Sequence, residues 1–490
     1  MAKNKSITNL TNTHILHHSN RILREFCDFL SLPNHASSTE DIRKNAVFIK
    51  EMFERRGVKI EIDEMPGASP FIYGEYNVPS AKQTILLYAH YDGQPVNPSQ
   101  WQSDPWKPVI RTDKIENGGE EIPINDAGYR VTPDCRIYAR SASDDKAPFI
   151  AIAAALDVLR ENDIPITSNL KFIFEGEEEI GSPHLIDYLK KFEDKLQADV
   201  LAICDGPVHQ SGRPQLFFGA RGFAGLDITV YGPERHLHSG HYGNWAPNPS
   251  LLLVHLLASM KDTDGNVLIN EFYNGAEQLS DEEKKTITTF PDNEGKLKAE
   301  FGIAETEGDG ETLIERLLLP SLNIRGLDGG AAGKHAQNVI PASASASIDM
   351  RLVKGIDPDT MLDRVEEHIR RQGFHIIRDE PDNDTRMKYP RLAKIIRQEG
   401  YPAVRTRMDI PEAQFIRSAV ERVADDDVVL LPTMGASLPL YMFEELLRLP
   451  IVGIPIANYD NNQHGQDENI RVGNLWYGMK LFSELFSGKN

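Results

Sequence analysis

The chain is poor in cysteine. It has three in 490 residues, Cys27, Cys135 and Cys204, with no paired spacing among them. That excludes a disulfide framework and a thiolate zinc site. Cys204 lies in an apolar run and reads as a core side chain, not a reactive one. The sequence also lacks an apolar run long enough to span a bilayer. Residues 1–6 are polar and no apolar segment follows, so no secretory leader is expected; the expectation is a soluble, cytoplasmic protein. Basic charge is scarce beside acidic charge: 53 Lys and Arg against 73 Asp and Glu, a net charge of −20. Nucleic acid and anionic membranes are therefore poor partners. What remains is ordinary globular composition, 40% hydrophobic and 26% charged, in a chain long enough for two domains.

Up to about residue 210 the hydrophobic pattern alternates between helix and strand. Apolar positions recur at helical spacing over 20–29 and 38–56. Residues 57–62 alternate like a half-buried strand, and 84–89 form the continuous apolar run of a central parallel strand. Pro148 suits the first turn of a helix reaching about Arg160. Further strands are predicted at 170–174 and 199–203, with a helix near 183–192 between them. The predicted fold is α/β, a mainly parallel sheet with helices on both faces. Near Gln215 the character changes. Residues 225–231 and 342–351 alternate with period 2, as one-sided antiparallel strands do. With helices at 250–260 and 358–372, a strand at 374–378 and a polar, acidic stretch at 262–310, this region reads as a small inserted α+β domain. The acidic run 379–384 reads as the linker out of it. The predicted domains are 1–214 with 383–490, and 215–382 between them.

Five side chains stand directly after predicted strands, before a helix or in a late loop: His90, Asp144, Glu179, Asp205 and His464. Each has an ordinary reading of its own. Asp92-Gly93 and Asp205-Gly206 are common turn pairs. Asp144-Asp145 before a helix suits an N-cap. The acidic run Glu175 to Glu179 suits a solvated loop, and a lone loop histidine such as His464 is usually a surface residue. Their convergence outweighs these readings. Ligands of open α/β sheets collect beyond the carboxyl ends of the strands, where His90, Glu178, Glu179 and Asp205 all emerge. Two imidazoles and three carboxylates form a ligand set for two divalent ions, which together can activate a water at neutral pH. Glu178 and Glu179 can divide the work, one as ligand and one as general base. Asp92 is placed to orient His90 or a neighbouring base.

Taken in order, these segments resemble the family of dinuclear-zinc dipeptidases and N-acyl-amino-acid deacylases, which includes carnosinase, bacterial dipeptidases, carboxypeptidase G and acetylornithine deacetylase. The resemblance runs along nearly the whole chain. It is carried by Leu87 to Pro95, Asp144-Asp145-Lys146, Glu175 to Ser182, Leu237-His238-Ser239-Gly240, Asn338 to Pro341 and Asp349 to Val353. The dipeptidase branch looks most similar. The resemblance implies that Asp144 bridges two ions, with His90 and Asp205 on one and Glu179 and His464 on the other. Zinc is the implied metal, with manganese or cobalt as alternatives. It implies that Glu178 is the base, that Asp92 supports the site and that the Asp144-Asp145 peptide is cis. The inserted domain looks like the family's lid and dimerisation domain. From it, His238 is expected to stabilise the oxyanion in the site of the partner subunit. Arg351 is expected to bind the substrate's terminal carboxylate, with Asn338 nearby and the Gly435 to Ser437 loop lining the pocket. Two departures stand out: Ser141 and Ala147 occupy positions where the family usually has glycine. Both are small, so altered packing is expected and not loss of metal. His236 and His241 flank His238 without an assigned role.

The function this implies is metal-dependent hydrolysis of dipeptides or small peptides with a free C-terminal carboxylate, through a metal-bridged water and Glu178, by a homodimer. A deacylase of N-acyl amino acids is the alternative within the same mechanism. A non-catalytic binding protein on the same fold is disfavoured, because binding alone needs no Glu178.

Overall fold

In the computed structural model the residues described are 6–123, 131–291, 293–308, 310–435, 438 and 440–488. The chain forms two units, one of Met1–Gly219, Thr406–Pro432 and Met442–Asn490, the other of Ala220–Arg405 and Thr433–Tyr441.

The first unit is built on an eight-stranded mixed sheet. Its strands lie in the order Lys59–Asp63, Phe71–Tyr76, Asn169–Glu175, Thr84–His90, Val200–Ile203, Ile451–Gly453, Gln215–Phe217 and Val429–Leu431. The four from Asn169–Glu175 to Ile451–Gly453 run parallel. The apolar run predicted as a central strand is indeed buried on both faces. Ile85, Leu87 and Ala89 join the core beneath one helical layer. Leu86 and Tyr88 point to the opposite face, where Tyr88 meets Phe443 edge-on at 5.3 Å.

That helical layer contains α1 (Ile7–Leu30), α2 (Thr39–Glu54), α3 (Ala147–Glu161) and the C-terminal helix Val472–Ser487. α3 is buried from Ala147 through Leu159 and carries Pro148 in its first turn. α1 starts well before the predicted Asn20. Ser6 caps it by accepting from the Asn9 amide, and its buried positions there are Ile7, Thr11 and His14. Two of those three are polar, so the hydrophobic period is invisible in the sequence. The helix Leu185–Phe192 packs elsewhere, Tyr188 stacking on Phe71 with centroids 4.7 Å apart.

Register brings the strand ends level. His90 lies opposite Glu175, and Tyr88 opposite Ile203. The segments leaving these strands therefore emerge at one edge of the sheet, the carboxyl edge.

The second unit has a five-stranded sheet in the order Ser321–Asp328, Ser343–Leu352, Gly222–Tyr231, Leu392–Tyr401 and His375–Ile377. Only the last pair is parallel. Helices Pro249–Ala258 and Pro358–Arg371 share its core with Leu226, Ile228 and Ile348. This unit extends past the residue 382 read from the sequence. Asp382 is no linker residue; it caps the short helix Asn383–Lys388 by accepting from the Thr385 amide. The strand Leu392–Tyr401 then stays in the sheet, burying Leu392, Ala393 and Ile395. Arg391, Lys394 and Arg397 interrupt that apolar set and conceal it from a sequence reading. The acidic stretch holds two short helices, Asp281–Thr288 and Glu294–Phe301, the first started by a capping box between Ser280 and Glu283. Among the described residues no helix is long and apolar enough to cross a membrane.

Candidate metal centre

His90 is the last residue of its strand and is fully buried. Asp144 comes from the loop that leads into α3. Glu178 and Glu179 lie in a single 3-10 turn, Glu178–Ile180, just after the strand Asn169–Glu175. Asp205 follows Val200–Ile203. His464 arrives from the loop ahead of the C-terminal helix, with a left-handed backbone at φ 63°. Two three-residue groups result: His90, Asp144 and Asp205, and Asp144, Glu179 and His464. Within each, the donor atoms lie within 4.8 Å of one another. Asp144 belongs to both, and its oxygens divide between them. Oδ1 is 2.9 Å from His90 Nε2, and Oδ2 is 3.0 Å from His464 Nε2. His464 Nε2 is also 3.3 Å from Glu179 Oε2. The peptide between Asp144 and Asp145 is cis.

A second layer holds this set in place. Asp92 is fully buried; its Oδ1 lies 3.3 Å from His90 Nδ1. Its carboxylate also accepts from the backbone amides of Glu178 at 3.2 Å and Glu179 at 3.0 Å. One side chain thus orients an imidazole and fixes the turn that carries both glutamates. Asp145 accepts from the His90 amide at 3.3 Å. Gln94 donates to Glu179 Oε2 at 2.7 Å.

The electrostatics show what the pocket needs. Burial pushes Glu178 up to about 8, and Asp205, Asp144 and Glu179 add to the effect. Burial likewise raises Glu179 to about 7 and Asp205 to about 6, each helped by neighbouring carboxylates. Burial also acts on Asp144, but hydrogen bonds to His464 and His90 outweigh it and hold that carboxyl below the usual range. Asp144 in turn raises His464 to about 9. Two basic side chains of the Asp144 segment bond elsewhere. Lys146 Nζ donates to the carbonyls of Phe29 and Leu32, both at 2.9 Å. Arg140 donates to Glu468 at 2.7 Å and to the Gly465 carbonyl at 3.0 Å. Asp145 Oδ1 is buried with no hydrogen-bond partner. A buried crowd of carboxylates with imidazoles, unneutralised by Lys146 and Arg140, fits divalent cations. Bound cations would offset the carboxylate repulsion and favour the charged forms.

Comparison with known proteins agrees with this geometry. Residues 86–487 match peptidase family M20/M25/M40. The chain belongs to this family. It is a metallopeptidase. It is 27% identical over 454 residues to the Cys-Gly metallodipeptidase dug1 of Schizosaccharomyces pombe, covering 89% of this chain and 88% of that protein. It is 26% identical over 430 residues to the Beta-Ala-His dipeptidase of Homo sapiens, covering 85% of this chain and 77% of that one. Among solved structures, an M20 family metallo-carboxypeptidase from Sulfolobus solfataricus matches with a TM-score of 0.74 and 27% identity, over 95% of this chain and 98% of that chain.

In this M20-family chain the other predicted site residues belong to the second unit. His238 is exposed; its Nδ1 accepts from the Gly240 amide at 3.1 Å, and its ring lies 4.7 Å from that of His241. It pairs with Val339 in a two-stranded ribbon, which brings it beside Asn338, whose carbonyl accepts from the Ser239 amide at 2.9 Å. His236 is exposed. Arg351 is in the strand Ser343–Leu352, with Nε 3.4 Å from Asp349 Oδ2 and its guanidinium over the Phe223 ring. Gly435 is exposed, and Ser437 lies outside the described residues.

Two features of the centre were not legible in the sequence: the role of Glu468, and the backbone and bonding of Ser141. Glu468 is fully buried and accepts from Arg140, from the amides of Ser141, Ser143 and Asp144, and from the Ser143 hydroxyl, at 2.7–3.0 Å. It therefore shapes the loop that presents Asp144. The only signal in the sequence was its place four residues after His464. Ser141, at a usual glycine position, has φ 61° in the left-handed region. Its hydroxyl is 3.0 Å from Asn34 Nδ2, and Asn34 Nδ2 also donates to the Tyr91 carbonyl at 2.8 Å. The serine tolerates a glycine conformation because its side chain is bonded in.

Proposed function

We propose that this M20-family enzyme hydrolyses the amide bond of dipeptides with a free C-terminal carboxylate. One observation carries the reading. Glu178 is a carboxylate outside both three-residue groups, set next to Glu179 on a turn pinned by Asp92. That is the position of a base with no metal to hold. The Cys-Gly and Beta-Ala-His dipeptidases at 27% and 26% identity support the substrate class.

In this reading His90, Asp144 and Asp205 would hold one divalent ion and Asp144, Glu179 and His464 the other. Zinc suits the donors best, with manganese or cobalt as alternatives. When bound, the ions supply a Lewis acid for the scissile carbonyl and lower the pKa of a water. Glu178 takes the proton of the attacking water and passes it to the leaving amine. Asp92 keeps His90 and the Glu178–Glu179 turn aligned through both transfers. Arg351 offers a planar fork to the terminal carboxylate, with Asn338 and Gly435 beside the substrate. His238 stabilises the oxyanion in the partner subunit's site, in a homodimer joined through the second unit. Exposed Trp245, Ile324 and Leu327 of that unit support such an interface. Three unpaired thiols suit a reducing, cytoplasmic setting.

A hydrolysis panel with added zinc or manganese tests the proposal. Free dipeptides should be cleaved, and C-terminally amidated dipeptides and N-acyl amino acids should be poor substrates. Turnover of N-acyl amino acids alone would make the enzyme a deacylase; good turnover of amidated dipeptides would remove the Arg351 role. Mixing Glu178→Ala and His238→Ala chains under subunit exchange tests the dimer. Activity should return, up to half that of a wild-type dimer for each mixed dimer, and verified exchange without rescue would exclude action across subunits.

A further inference from the structure

We propose that His14, His18 and Glu161 form a third divalent-cation site, of the imidazole–carboxylate class that takes zinc, separate from the centre built on Asp144. His14 and His18 are four residues apart on α1, so they share one face of the helix. Glu161 is the last residue of α3. His14 Nδ1 lies 3.0 Å from Glu161 Oε2, and His18 Nε2 lies 3.5 Å from the same oxygen. The three donor atoms are within 4.8 Å of one another. In a tetrahedral zinc site, bonds of 2.0–2.2 Å put neighbouring ligand atoms roughly 3.3–3.5 Å apart. The two histidine–carboxylate separations fall close to that value, and the two ring nitrogens lie within 4.8 Å of each other, so side-chain shifts can seat an ion.

A simple histidine–glutamate hydrogen bond explains only part of this arrangement. It accounts for His14. It does not account for a second imidazole turned toward the same oxygen, with the two rings 4.4 Å apart. Arg21 does not claim that oxygen. It pairs with Asp157 at 3.2 Å and stands 3.9 Å from the other oxygen, Glu161 Oε1. His14 is buried, which fixes its ring against Glu161. The His18 and Glu161 side chains are 37% and 40% exposed, so an ion can enter from solvent and a water can complete its coordination. The positive charge of Arg21 makes this a weaker site than the dinuclear centre.

The place in the fold gives the site a purpose. α3 begins just after the Asp144 loop and ends at Glu161, about 20 Å away at 1.5 Å per residue. The C-terminal end of α1 already holds that loop through the Phe29 and Leu32 carbonyls that receive Lys146. A cation at His14, His18 and Glu161 ties the N-terminal half of α1 to the far end of α3. The site is a structural clamp, and it stands whether or not the enzyme prefers dipeptides.

The test counts ions on the full-length chain, stripped by chelation and re-equilibrated with a micromolar excess of Zn2+. His18→Gln and Glu161→Gln, both at partly exposed positions, should each hold one ion fewer per chain than wild type. Turnover at saturating metal should be unchanged in His18→Gln. Asp144→Ala should keep a zinc-dependent rise in Tm, and adding His18→Gln to it should shrink that rise. With Co2+, the wild-type minus His18→Gln difference spectrum should show ligand-field bands. Equal ion counts in wild type and both variants, or a zinc-dependent Tm rise that is undiminished in the double variant relative to Asp144→Ala, would overturn the proposal.

Discussion

Glu468→Gln is the most informative single change at the Asp144 loop. The two oxygens of Glu468 receive five hydrogen bonds. Oε2 takes Arg140 Nη1 and the Ser141 amide; Oε1 takes the Ser143 amide and hydroxyl and the Asp144 amide. Glutamine keeps one acceptor oxygen. Placed toward the three donors of Ser143 and Asp144, it leaves its own NH2 facing Arg140 and the Ser141 amide, donor against donor. Arg140 is then a buried cation without its counter-charge, since that pair is 3% and 0% exposed. Breaking such a pair costs about 3–5 kcal/mol. The same change at Glu61, whose partner Lys195 is exposed as it is, should cost only about 0–1 kcal/mol. A domain holds roughly 5–15 kcal/mol of stability, so the variant should fold but with a much lower urea midpoint. Because Asp144 serves both ligand groups, metal content should fall for both ions, with activity falling alongside. The assay pairs a urea titration of the metal-free protein with ion counting. A Glu468→Gln chain that matched Glu61→Gln in midpoint and still bound its full metal would refute the reasoning.

Other changes separate the remaining roles. Asp144→Ala should disturb both ions of the dinuclear centre and His464→Ala one, read by ion counting; full metal and full activity in Asp144→Ala would exclude a bridge. Glu178→Gln should keep its metal yet lose about 10²–10⁴-fold in kcat, whereas Glu179→Gln should weaken metal binding, and equal metal loss in both would contradict the division. In Gly93→Ala, the new Cβ would stand 2.4 Å from Ser141 Oγ and 3.1 Å from Asn34 Oδ1. Overpacking there should cost about 1–3 kcal/mol and lower Tm; an unchanged Tm would mean the loop adjusts freely.

Much of the architecture was legible because burial leaves a local period. The run at 84–89 announced a strand covered on both faces, and the segments around Pro148 and 170–174 carried their own helix and strand signatures. The candidate ligands were legible for a related reason, since each follows an element whose type could be read locally. The start of α1 was not legible, because Thr11 and His14 fill buried positions that apolar residues usually fill. Nor was the strand Leu392–Tyr401, whose pairing with Gly222–Tyr231 joins segments far apart in the chain. Sequence alone determined which residue types were available at each strand end and what chemistry they could support. Only the tertiary structure decided their partners: that Asp144 turns one oxygen to His90 and the other to His464, that Glu468 gathers the amides of the Asp144 loop, and that two histidines of α1 face the end of α3. The physical reason is that a periodic pattern records how one segment is buried. A carboxylate's hydrogen bonds depend on which distant segments the packed sheet and helices bring beside it, and no local pattern encodes that.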